Sequence, residues 1–310
     1  MAMETPEILK PGDLIRVIAP SSRFDQQRFE TGVDWLKEAG FRVAFREDIG
    51  SACRYLAGDD ARRSEEFVEA FADDDARAVW CARGGFGAQK LFPPLETWTP
   101  SSPKWLVGFS DITALHTLIR RRGYMSIHGP NITSLGDWSE DAIQETLSLM
   151  SGASWKGWTL KGQGPDTGPV RGRLLGGNLT VLASLVGSLE APFFKNEILC
   201  IEDVGERPYR LDRALEQLIQ AGTLDGIGGV ILGQFSGCDE LRQDEVVLRG
   251  RDVVVDRLCD LGVPVLEGAP FGHEHSSRPF VHGALVELRQ TESGVFDVLP
   301  AHYQAPGVLS

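Results

Sequence analysis

The sequence predicts an α/β protein of two domains, a doubly wound parallel sheet followed by a smaller α+β, barrel-like domain. Three observations carry this. Short apolar runs alternate with amphipathic ones through the first 121 residues. A stretch rich in Gly, Ser, Lys and Pro, about 151–172, breaks that pattern. Mixed elements then follow and end in two facing apolar runs. A chain of 310 residues is long enough for two cores at roughly 100–200 residues each.

In the first half, Leu14–Ala19 reads as a buried strand that stops at Pro20. From Gln26 to Ala39 the apolar residues Phe29, Val33 and Leu36 recur at helical spacing. Phe41–Phe45 is strand-like, and Asp60–Ala72 is a helix with Phe67, Ala70 and Phe71 on one side. Ala78–Ala82 and Trp105–Phe109 are strands, the second followed by a helix over Asp111–Arg121. Strands separated by helices imply a parallel sheet with helices on both faces, wound with right-handed crossovers. Residues 153–171 read as a linker between a domain over 1–152 and another over 172–310. In the second domain, 178–189, 211–221 and 252–261 are helical, and 197–201 and 229–232 are strands. Val263–Leu266 is strand-like, and 284–289 with 295–299 forms a terminal hairpin. There is no internal repeat.

The net charge of −13 makes nucleic acid and anionic membrane poor partners. The five cysteines, Cys53, Cys81, Cys200, Cys238 and Cys259, have neither metal nor redox spacing and suit a reducing compartment. No stretch approaches the ~20 apolar residues of a membrane span, and Met1–Asp13 has no apolar signal segment. The expected location is the cytoplasm, with no cofactor and no metal.

Four blocks carry chemistry. In Val107-Gly108-Phe109-Ser110-Asp111-Ile112 a strand ends, a serine follows and a helix begins. Sites in open parallel sheets lie at such strand ends, and a helix N-terminus offers free N–H donors to an oxyanion. Ile112 stands where a G-x-S-x-G elbow has glycine, so a capping role for Ser110 or Asp111 stays open. Arg83-Gly84-Gly85-Phe86-Gly87 follows a strand; its glycines let backbone donors approach a ligand, although it matches no nucleotide fingerprint. A plain tight turn is the alternative. Gly272-His273-Glu274-His275 lacks the spacing of a helical zinc motif and suits a general base. His116, His128, His282 and His302 compete for that role, with His116 in a helix and His302 in the tail. Glu202, Asp203 and Glu206 close a buried strand. One of them can orient an imidazole, or pair with Arg207, Arg210 or Arg213.

Taken in order, these blocks, with Gly176-Gly177-Asn178-Leu179, resemble the LD-carboxypeptidase family of serine peptidases, which includes the microcin-immunity peptidases. The resemblance runs from Lys10-Pro11-Gly12-Asp13 to the His273 loop. It implies a nucleophile at Ser110 on a flavodoxin-like domain, with the orienting acid Glu202 and the base His273 on a barrel-like domain. The site would then form where the domains dock. The N–H groups of Asp111 and Gly85 would serve as the oxyanion hole, with Gly84 and Arg83 at the substrate. The implied reaction removes D-alanine from the L-centre of a muropeptide tetrapeptide in cell-wall recycling, and the family often forms homodimers. Phe86 stands where the family commonly has Tyr. The compact region between the domains favours a wall peptidase over cleavage of peptidyl-nucleotides. A non-catalytic nucleotide- or sugar-binding protein is the alternative from another class.

Overall fold

The alternation in the first half becomes a six-stranded sheet in a computed structural model, which describes residues 3–165, 168–243 and 245–301. His302 lies outside the described residues. The chain divides into two compact units. One holds the stretch to Ser154 together with Arg278–Gly283; the other holds Trp155–Ser277 and the stretch from Ala284.

In the first unit, β1 (Leu14–Ile18), β2 (Arg42–Ala44), β3 (Ala76–Cys81), β4 (Trp105–Gly108) and β5 (Ser126–His128) pair in parallel in the order 2-1-3-4-5. That is the flavodoxin-like winding, whose sites lie beyond the carboxyl ends of the strands. Helix α1 (Gln26–Glu38) is capped by Asp25, which accepts from the Arg28 N–H, and buries Phe29, Val33 and Leu36. Helix α2 (Asp60–Ala72) is capped by Asp59 and buries Phe67, Ala70 and Phe71. Both are the faces that the 3.6-residue period predicts. Helices α3 (Thr113–Arg121) and α4 (Glu140–Met150) complete this unit.

A sixth strand, Phe280–His282, adds antiparallel to the β5 edge. Residues 280–282 fall within the 172–310 stretch expected to form the second domain. Three residues are too few to show a period, and they join the first unit from about 150 residues further along the chain.

The second unit is a closed, mixed seven-stranded barrel. Its strands are β6 (Trp158–Gln163), β7 (Val170–Asn178), β8 (Ile198–Val204), β9 (Gly229–Ser236), β12 (Val265–Glu267), β14 (Leu285–Glu292) and β15 (Val295–Pro300). The short hairpin β10 (Glu240–Arg242) and β11 (Glu245–Leu248) stands apart from it, and Phe280–His282 is β13. Helices α5 (Leu179–Ser184), α6 (Pro208–Gln220) and α7 (Gly250–Cys259) belong to this unit, with Leu211, Leu215 and Val254 in its core beside Leu199, Ile201 and Val230.

The stretch 153–171, expected to be a linker, contains β6 and the start of β7. Gly162 is one of the glycines of that stretch. It marks a close approach: a Cβ on it would lie 2.7 Å from the Val265 carbonyl oxygen of the neighbouring strand. The helix expected over 178–189 ends at Ser184, short of Gly187 at φ +83°.

Candidate active site

Strand β4 is buried along its length and delivers the chain to Ser110. Phe109 is extended, and Ser110 then takes φ +65°, one of four non-glycine residues with positive φ among those described. A serine held there costs about 1–3 kcal/mol and persists only where its surroundings impose it. A 3-10 turn over Ser110–Ile112 leads into α3, and no side chain caps either start. The capping role left open for Ser110 and Asp111 is therefore not what the fold uses.

Asp111 reaches away from its own helix. Its Oδ2 accepts from Ser21 Oγ at 2.6 Å and from the Ala88 N–H at 2.8 Å. One buried carboxylate thus ties together the end of β1, the glycine loop and the Ser110 turn. Burial pushes its carboxyl pKa up, and the two donors only partly offset this.

The glycine loop packs directly on this turn. A Cβ at Gly84 would lie 2.9 Å from Ser110 Cβ and 3.1 Å from the Phe109 oxygen. Gly85 sits at φ +104° against Ser22. The loop is a tight turn, and its tightness is what lets it abut Ser110. Arg83 is exposed, and its Nη1 donates to the Arg23 carbonyl at 2.7 Å.

The barrel supplies a second arrangement. Glu202 is fully buried on β8, where the register with β9 shifts between Ile201 and Asp203. Such an irregularity re-aims a side chain. Its Oε2 lies 2.7 Å from His273 Nδ1. A carboxylate only accepts, so Nδ1 carries the proton and Nε2 is the basic nitrogen. Burial pulls the His273 pKa down, but the charge and hydrogen bond of Glu202 outweigh it, and the net shift is upward. The loop holding His273 is fastened to β9. Gln234 N–H donates to the Phe271 carbonyl, and Gln234 Oε1 accepts from the Glu274 N–H and Ser277 Oγ.

Of the three acids left open by sequence, Glu202 alone is bonded to the imidazole. Asp203 accepts from Asn178 Nδ2, the Val204 N–H and both the N–H and Oγ1 of Thr180. Glu206 pairs with Arg210. The Asp203 network had one readable signal, Asn178 directly before the apolar start of α5, whose side chain caps that helix.

The competing histidines of the first unit are packing groups. His116 is fully buried, with Nδ1 on Ser126 Oγ and Nε2 on the Gly108 oxygen, and burial lowers its pKa to about 4. His282 stacks on it at 5.3 Å, and burial holds its pKa well below the usual imidazole value. His128 stacks on Phe280 at 4.7 Å. Among the described residues no group of three or more His, Cys, Asp or Glu is placed to hold a metal ion.

Comparison with known proteins gives the arrangement its context. Residues 15–129 match the family model of the LD-carboxypeptidase N-terminal domain, and residues 171–288 match that of the LD-carboxypeptidase C-terminal domain. The murein tetrapeptide carboxypeptidase of Pseudomonas aeruginosa is 33% identical over 289 residues, 88% of this chain and 92% of its own. The crystal structure of muramoyltetrapeptide carboxypeptidase from Oxalobacter formigenes is similar at a TM-score of 0.80 and 26% identity, covering 94% of this chain and 99% of that one. The microcin C7 self-immunity protein shares the fold, with a TM-score of 0.79 at 21% identity, over 98% of this chain and 99% of that one.

Proposed function

Because this chain belongs to the LD-carboxypeptidase family and is a serine-type carboxypeptidase, we propose that it releases the terminal D-alanine of murein tetrapeptides through a Ser110–His273–Glu202 triad. The observation that carries this is the 2.7 Å bond from His273 Nδ1 to the buried Glu202. It fixes the imidazole in the tautomer that a serine needs from its base.

In this mechanism Ser110 Oγ attacks the carbonyl before D-alanine while His273 Nε2 takes its proton. Glu202 stabilises the imidazolium. The N–H of Asp111, in the first turn and without an intrahelical acceptor, and that of Gly85 hold the oxyanion. His273 returns the proton to the leaving amine, D-alanine departs, and water, activated by the same base, frees Ser110. Arg83 meets the terminal carboxylate, with the bare backbone of Gly84 beside it.

No helix among the described residues is long and apolar enough to cross a membrane. A cytoplasmic enzyme acting on recycled peptide is the location we propose, and a homodimer is part of the same expectation, checked by sedimentation.

The deciding assay measures D-alanine release from a murein tetrapeptide by the wild type and by Ser110→Ala. The expected result is release by the wild type and a loss of roughly 10⁴-fold or more in the variant. Equal release, or none from the wild type, overturns the proposal. A peptidyl-nucleotide run alongside tests the microcin-type reaction, for which likeness at 21% identity supplies the fold alone.

A further inference from the structure

In the first unit most arginines are spent on carboxylates. Arg16, Arg28, Arg42, Arg46, Arg62 and Arg77 each pair with an Asp or Glu. Arg23, Arg54 and Arg83 do not: among the described residues none of the three forms an ion pair, and all three are exposed. They are also gathered in one place, beside the Ser110 turn, in a protein of net charge −13.

The backbone shows how they are gathered. Cys53 and Leu56 exchange two hydrogen bonds of 3.0 Å, which leaves Arg54 and Tyr55 as the tip of a two-residue hairpin. This hairpin is pinned to the end of β1. The Arg23 N–H donates to the Tyr55 carbonyl at 3.1 Å, and the Ala57 N–H to the Ser21 carbonyl at 3.0 Å. The Arg23 carbonyl in turn accepts from Arg83, and the Ser22 N–H donates to the Gly84 carbonyl. Arg23 therefore joins the hairpin to the glycine loop through its main chain and leaves its guanidinium outside. Gly84 abuts Ser110. Tyr55 and Phe86 form an exposed aromatic pair between the loops, with centroids 5.9 Å apart.

Two contrasts argue that the cations face outward for a ligand. Arg63 lies under the same loops, fully buried, and spends its guanidinium on the Pro20 and Gly87 carbonyls and on Asp60. The arginine that builds the loops is thus distinct from those that rim them. Arg54, moreover, sits at φ +58°, where a hairpin tip ordinarily uses Asn, Asp or Gly. A long cation kept in a conformation that disfavours it points to use of the side chain.

We infer that Arg23 and Arg54 form a second carboxylate-reading rim beside Ser110, which takes an internal carboxylate of an acidic peptide while Arg83 takes the terminal one. This rests on the proposed peptidase function and names a further feature of its substrate: an anionic group away from the scissile bond. A murein tetrapeptide bears such carboxylates. Guanidinium pairs with carboxylate in a planar, two-bond geometry, and a local cationic rim draws an anion toward a surface that otherwise repels it.

The test uses the full-length protein and two peptides, a murein tetrapeptide and the same peptide with its non-terminal carboxylates amidated. Binding is measured by calorimetry in the Ser110→Ala background, and D-alanine release in the Ser110 background. Arg23→Gln with Arg54→Gln is expected to weaken binding of the acidic peptide about tenfold. It should raise KM rather than lower kcat, and flatten the fall of kcat/KM with salt. On the amidated peptide the difference should shrink to less than twofold. Unchanged binding of the acidic peptide, or an equal loss on both peptides, overturns the rim. Absence of D-alanine release by the wild type overturns the function instead, and the calorimetric comparison still decides whether the rim reads carboxylates.

Discussion

Ser110 and His273 are placed by opposite means. Ser110 is aimed by its main chain: the end of β4, a left-handed φ, a glycine loop against its Cβ, and Asp111 fastening the turn from behind. His273 is aimed by another side chain, the buried Glu202, from a loop tied down through Gln234. Backbone placement spreads responsibility over several neighbours, some with no side chain. Side-chain placement concentrates it in one carboxylate. The two therefore differ in how they break.

The largest effect belongs to the proposed nucleophile. Ser110→Ala is expected to lower kcat by roughly 10⁴-fold or more while leaving the melting temperature nearly unchanged, because the strained turn is held by its neighbours. A collapse in stability would show that the hydroxyl supports the turn, and would undo the claim of main-chain placement.

Next is the carboxylate. Glu202→Gln keeps the shape but offers an amide in place of a charge, and about 10³–10⁴-fold in kcat is expected to go. The pH profile separates this from simple misplacement. Glu202 raises the His273 pKa, so kcat/KM of the wild type should rise with pH through a value above 6.5, as the base becomes neutral. In the variant that limb should move to lower pH. An unmoved limb would mean that Glu202 does not face the titrating base.

A smaller loss tests the shared responsibility around Ser110. Gly84→Ala puts a methyl group 2.9 Å from Ser110 Cβ, and something must shift. A displacement of about 1 Å costs on the order of 10²-fold in rate. Asp111→Ala, which strands the Ser21 hydroxyl and the Ala88 N–H, is expected to lose a similar factor and about 1–3 kcal/mol of stability. Measured together, the two variants should not add, since both loosen the same turn.

The same contrast governs how much could be read from the sequence. Periodicity placed α2 at its observed bounds because it buries one regular face, and continuous apolar runs marked β1, β3 and β4, which are buried on both faces. It lost β6, where Gly162 marks close packing rather than a break. It also lost β13, three residues that join a sheet built from a distant stretch of chain. At the site, a serine between strand and helix was visible, but φ +65° on a residue other than glycine leaves no mark in sequence. Glu202 and Asp203 are adjacent acids on a strand buried through six of its seven residues. With no alternation to set the phase, and a register shift at that point, sequence could not say which one meets His273. The Ser…Glu…His order came from family resemblance, and the local bond to Glu202 came from the fold.

The smallest predicted effect sets the histidines of the two units against each other. In the first unit burial holds His116 at about 4 and His282 well below its ordinary value. The unfolded chain takes up those protons near pH 6.5 while the folded unit refuses them. Stability of that unit should therefore be highest above pH 6.5 and fall on acidification, by roughly 1.5 kcal/mol from His116 between pH 6.5 and 5, with His282 acting in the same direction. His273 behaves with the opposite sign. Its folded pKa is raised, so its contribution is fully present below pH 6.5 and fades only as pH climbs through the raised value. Amide hydrogen exchange read separately for β4–β5 and for β8–β9 over this range should show protection falling in the first pair of strands and not in the second. Replacing His282 with Phe, an apolar ring that binds no proton, should flatten the first trend. Parallel loss of protection in both units would mean that His116 and His282 do not set the acid sensitivity of the sheet that carries Ser110.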